Sequence, residues 1–91
     1  MPRYVVERDF PQGLNVPINA DGAKAMSGVR EVNAAEGVNW VQTYVSTDHN
    51  NKTFCVYDAP NPEAIRRVGA KNGLPVGKIT EVRVLDAYFY H

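Results

Sequence analysis

The middle of the chain holds two strand-like runs, Val38 to Thr47 and Lys52 to Ala59, separated by the polar cluster Asp48-His49-Asn50-Asn51. Four polar residues between two β-branched and aromatic runs suit the loop of an antiparallel hairpin. A lone hairpin is marginal in water and must be covered, so what flanks it decides the fold. Downstream, Asn61-Pro62-Glu63 combines a capping side chain, a proline at the first helical position and an acid where the helix dipole favours it. Ile65 and Val68 point inward from that helix, and Asn72-Gly73 ends it. Upstream, Met26, Val29, Val32 and Ala35 recur at helical spacing after a possible cap at Asn19 or Asp21, and Gly37 supplies a left-handed stop. Gly22 and Gly28 weaken this first helix, an interior glycine costing about 1 kcal/mol relative to alanine.

Outside the helices lie two more strand patterns. Arg3 to Phe10 is β-rich and breaks at Pro11-Gln12-Gly13, with a loop to Pro17; Lys78 to Tyr88 reads as the last strand. The order is strand, helix, strand, strand, helix, strand. Right-handed crossovers then put both helices on one face of a four-stranded antiparallel sheet, with the first and third strands central and the second and fourth at the edges. The expected fold is α+β, a ferredoxin-like βαββαβ sandwich forming a single domain over residues 1–91. A domain this small gains from association, and two such sheets packed face to face make a dimeric α/β barrel.

Ten basic and ten acidic residues cancel, with no Lys/Arg run, so the footprint of a nucleic-acid binder is missing. No apolar stretch has bilayer length and the N-terminus enters a strand pattern directly, which makes the expected location cytoplasmic with no membrane partner. A single cysteine, Cys55, excludes an internal disulfide and Cys-x-x-Cys metal or redox motifs.

One sheet face is left bare by this topology. Assigning the more aliphatic set of each strand to the helix side puts Val41, Thr43, Val45, Phe54, Val56, Val82 and Val84 inward, with Tyr4 and Val6. The bare face then receives Val5, Glu7, Trp40, Gln42, Tyr44, Cys55, Tyr57, Glu81 and Arg83, an amphipathic mixture suited to a ligand site or a dimer interface. Trp40, Gln42, Tyr44, Tyr57 and Arg83 are the candidate ligand-binding residues. Glu7 and Glu81, on strands expected to be neighbours, are the candidate metal pair, set against the plainer reading that either carboxylate pairs with Arg83 or Arg8.

Several blocks also carry a resemblance: Pro2-Arg3-Tyr4-Val5-Val6-Glu7-Arg8, the run from Glu36 to Val45 with its Trp40-x-x-x-Tyr44, the Phe54-Cys55-Val56-Tyr57-Asp58-Ala59-Pro60 block, and Ile79-Thr80-Glu81-Val82-Arg83. Over nearly the whole length the chain resembles a bacterial domain-of-unknown-function family that includes a small ferredoxin-like nickel-binding protein. The resemblance implies a homodimer, a binding role, and nickel or another divalent metal as cofactor. In the family pattern a histidine sits where this chain has Gln42, and another in the second helix near Val68. Nickel prefers imidazole nitrogen, so the resemblance leaves Glu7 and Glu81 as an oxygen-only set.

The remaining candidates have plain readings. Cys55 reads as a packed thiol, since free cysteine behaves as a small hydrophobe. His49, in the hairpin loop, and His91, at the end of the sequence, read as solvated. Without a histidine on the sheet no Ser/His/Asp or Cys/His constellation forms, and Gly73-Leu74-Pro75-Val76-Gly77 lacks the ending of a phosphate loop. The expected function is a small dimeric binding protein rather than an enzyme. The alternative is a cofactor-independent dimeric α/β-barrel oxygenase or isomerase, holding a small organic molecule between Trp40, Tyr44 and Tyr57 with Glu7 as base, a reading that rests on fold analogy.

Overall fold

A computed structural model describes residues 1–11, 20–48 and 51–90 of the chain. The order is β1 (Arg3–Asp9), α1 (Ala20–Ala35), β2 (Asn39–Val45), β3 (Lys52–Asp58), α2 (Pro62–Asn72) and β4 (Ile79–Val82), closed by a short 3-10 turn at Ala87–Tyr90. The sheet order is β2-β3-β1-β4, antiparallel throughout, with β1 and β3 central as the sequence predicts. No described helix is long and apolar enough to cross a membrane.

The second helix begins and ends where its local chemistry dictates. Asn61 is extended, and its side chain accepts a hydrogen bond from the Ala64 N–H at 2.9 Å; Pro62 and Glu63 follow in the first turn. At the far end Gly73 adopts φ 67°, and Gly37 closes α1 with φ 73°, both in the left-handed region where a side chain is disfavoured. Ala64, Ile65 and Val68 bury against Val6, Tyr4, Cys55 and Tyr57, so α2 closes the core over the central strands. The cap expected at Asn19 or Asp21, and the two histidines, fall outside the described residues or side chains.

The C-terminal ends of the helices are stitched together. Asn33, buried, accepts from Asn72 Nδ2 at 3.3 Å, while Glu36 takes a hydrogen bond from Arg67 at 3.0 Å and another from Lys71. Those two cations hold the Glu36 carboxyl below its ordinary value.

The last strand is shorter than expected. Instead of running to Tyr88, β4 stops at Val82, opposite Arg3 where β1 begins, because a strand extends only as far as its neighbour offers partners. Beyond it Asp86 accepts from the Tyr88 N–H at 2.9 Å, a local side-chain turn that competes with extended structure. Val84 and Leu85, 64% and 75% exposed, therefore lie off the sheet.

Replacing Asn61 by alanine removes the cap of α2 and is expected to lower stability by about 1 kcal/mol in urea unfolding. Glu36 gives a pH signature. Its folded value is depressed, so its contribution is complete above the ordinary carboxyl value of 4.5 and is lost as pH falls below that through the folded value. The urea midpoint of Glu36→Gln should lie below wild type at pH 7, and the gap should close between pH 4.5 and lower pH.

Candidate functional site

Side chains of directly paired residues share a face, so the ladders sort the sheet into rows. On the open face the rows are Val82–Arg3–Asp58–Asn39, then Thr80–Val5–Val56–Gln42, then Glu7–Phe54–Tyr44, then Asp9–Lys52. Facing the helices are Glu81–Tyr4–Tyr57–Trp40, Ile79–Val6–Cys55–Thr43 and Arg8–Thr53–Val45.

Seven side chains on three strands lie on the face opposite to the one expected. Phe54 and Val56 lie on the open face, while Cys55 and Tyr57 are buried beneath the helices. The reason is register: Tyr4 and Val6 point inward as predicted, and their partners Tyr57 and Cys55 must do likewise. The aliphatic preference would have required a one-residue slip. Trp40 changes face because β2 carries a bulge between Trp40 and Gln42, with Val41 as the extra residue. Its indole N–H donates to Thr43 Oγ1 at 2.8 Å on the inner side. In β4 the parity inverts as well, since Val82 pairs with Arg3 on the open face and Glu81 with the inward Tyr4; Val84 and Arg83 lie past the strand's end.

Glu7 and Glu81 are consequently not brought together. Glu7 lies on the open face, ion-paired to Lys52 at 3.2 Å, whereas Glu81 lies on the helix face at the β4 edge. There it acts on Tyr4, whose phenol is pushed up first by burial and then by the negative charge of Glu81 and Glu63. The arrangement required by the enzyme alternative is split the same way: Trp40 and Tyr57 face the helices, Tyr44 and Glu7 face outward.

What the open face does assemble is an apolar strip between neutralised ends. Val5, Val56 and Phe54, half-buried, form its middle. At one end Arg3 grips Asp58 through two hydrogen bonds at 2.8 and 3.0 Å, which holds the Asp58 carboxyl below its usual range. At the other, Lys52 joins Glu7 and lies 5.6 Å from the centre of the Phe54 ring. Gln42 and Tyr44 stay together on the edge strand, where the Gln42 amide donates to the Tyr44 hydroxyl, and Tyr44 is 60% exposed.

The donors of the described chain do not by themselves fit nickel. Among the described residues no three of His, Cys, Asp and Glu cluster to hold a metal, the outer carboxylates Glu7 and Asp58 are engaged by cations, and Cys55 is buried with its sulfur 3.7 Å from Thr53 Oγ1.

The sequence reading gave Arg8 only a pairing role, although parity from Tyr4 through Val6 carries it inward. Arg8 is 2% exposed; its Nη1 donates to the Pro75 carbonyl at 2.8 Å and its Nη2 to the Tyr57 hydroxyl at 3.2 Å. Burial raises the Tyr57 phenol's pKa, an effect the Arg8 charge partly reverses.

Against known proteins, no curated protein matches the chain. The crystal structure of SCO4226 from Streptomyces coelicolor A3(2) is similar at a TM-score of 0.71 and 20% identity, covering 92% of this chain and 99% of that one, which confirms the shared fold. The family described as nickel responsive protein SCO4226-like matches residues 4–82, from the second residue of β1 to the last of β4. With both helices and, save Arg3, all four strands inside that match, the chain belongs to the nickel responsive protein SCO4226-like family.

Proposed function

We propose that the protein is a small binding protein acting as a homodimer, two copies packing open sheet face to open sheet face with the ligand site at the seam. The observation that carries this is the strip of Val5, Val56 and Phe54 lying between ion pairs that are already neutral within the face. A two-fold contact places a surface against itself, so a face with strongly unbalanced charge would repel its copy; here Arg3 with Asp58 and Lys52 with Glu7 cancel, leaving exposed Asp9 at the end of β1 outside these pairs. Exposed Tyr44, Val84 and Leu85 add apolar surface that a partner would cover.

The family's description speaks for nickel as the ligand, and a two-fold axis through the face would answer the shortage of donors in one protomer by doubling each of them. Glu7 from each copy would supply two carboxylates, with Gln42 and Tyr44 as neutral oxygen donors. This is a hard, oxygen-rich set that favours no single transition metal strongly. Glu81 has no part in it.

Sedimentation of the wild type at about 100 µM is expected to give the dimer mass, and Phe54→Asp to weaken association by at least about a hundredfold while keeping native circular dichroism, because each dimer buries the new charge twice. A monomeric wild type at that concentration overturns the proposal. Calorimetric titration with nickel should give heat that Glu7→Gln removes; no heat at micromolar protein overturns the metal assignment and leaves the dimer to the sedimentation result.

A further inference from the structure

We propose that the space between the sheet and the helix layer is a second binding site, taking a small organic monoanion with an apolar body anchored by Arg8. It lies on the opposite side of the sheet from the proposed seam and does not rest on that reading.

Four cations of the described chain have carboxylate partners: Arg3, Lys52, Arg67 and Lys71. Arg8, fully buried, has none among the described residues. Its hydrogen bonds go to a carbonyl and a phenol, both neutral, and its buried Nε has no hydrogen-bond partner among the described residues. A lysine or a carboxylic acid buried alone can neutralise itself by shifting its proton equilibrium, whereas a guanidinium keeps its charge. Such a group is strongly unfavourable in an apolar interior without a counter-charge.

Arg8 also borders a cavity of about 380 Å³. That volume falls within the roughly 300–1,000 Å³ of small-molecule pockets, and the walls are the type that such pockets use. Val29, Val45 and Leu74 present aliphatic surface, Trp40 and Tyr57 aromatic surface. The Tyr57 hydroxyl accepts from Arg8 and retains its own hydrogen to donate, so guanidinium and phenol together offer an anion two kinds of donor. An inorganic anion would satisfy the charge and leave the apolar walls unfilled; a carboxylate on an aromatic or short aliphatic body satisfies both.

The plainer role for Arg8 is a strap, its Nη1 fastening the loop at Pro75 to the sheet. The two roles separate by experiment. Trp40 is the only tryptophan of the chain and lines the cavity, so its fluorescence in the full-length protein reports occupancy. Titration with benzoate and with octanoate is expected to give saturable changes, at least about tenfold tighter than benzyl alcohol and octanol, the loss of a charge-assisted contact being worth that much. Arg8→Met should abolish the preference for acid over alcohol, and Arg8→Lys, whose ammonium a bound carboxylate would hold charged, should retain it with weaker binding. The proposal is overturned if neither acid gives saturation, if acid and alcohol bind the wild type equally, or if a folded Arg8→Met keeps the preference. Should Arg8→Met fail to fold, the wild-type comparison and Arg8→Lys decide, and loss of the preference in Arg8→Lys counts against the proposal.

Discussion

The pairing of β1 with β3 fixes everything else in this molecule. Val6 lies opposite Cys55, with Tyr4 opposite Tyr57 and Arg8 opposite Thr53, and that parity determines which side chains meet the helices and which meet the outside. A slip of one residue would exchange the two sets completely. Arg8 helps to hold the register, because its inward place is tolerable only where the Tyr57 hydroxyl and the Pro75 carbonyl can both receive it. The same register sets Arg3 against Asp58 and leaves Lys52 within reach of Glu7, so two ion pairs form on the outer face as a consequence of how the inner one is packed.

Order, topology and the bounds of α2 are legible in the sequence because their causes are local. A capping asparagine, a proline and a glycine with positive φ act within a few residues of themselves. The end of β4 is not local; it depends on where β1 runs out of partners, and no property of Arg83 or Val84 announces it. Nor does any residue type mark the bulge at Val41, which turns Trp40 to the inner face although simple alternation from Gln42 and Tyr44 keeps it outside.

The misplaced faces have a single origin. Ranking strand faces by aliphatic content assumes that the interior selects for low polarity. Here it accepts Tyr4, Tyr57, Thr53, Cys55 and a charged Arg8, whose polar ends partly satisfy one another. A better guide was already in the sequence: once Tyr4 and Val6 are placed inward, alternation places Arg8 beside them. Family resemblance agreed with the fold that residue patterning reached and added the family, but it could not decide between faces, since a matched block is silent about which way its strand is turned.

The sheet thus acts as a partition between two chemically different surfaces. Its outer side pairs Arg3 with Asp58 and Lys52 with Glu7 around an apolar middle, the character on which the proposed dimer rests. Its inner side holds a cation that nothing described in the chain balances. A second copy on the outer face cannot supply that missing charge, because the sheet itself intervenes. Screening by solvent cannot supply it either, since Arg8 has almost no contact with water. None of the described carboxylates supplies it, and this is why the proposed inner and outer sites take separate ligands.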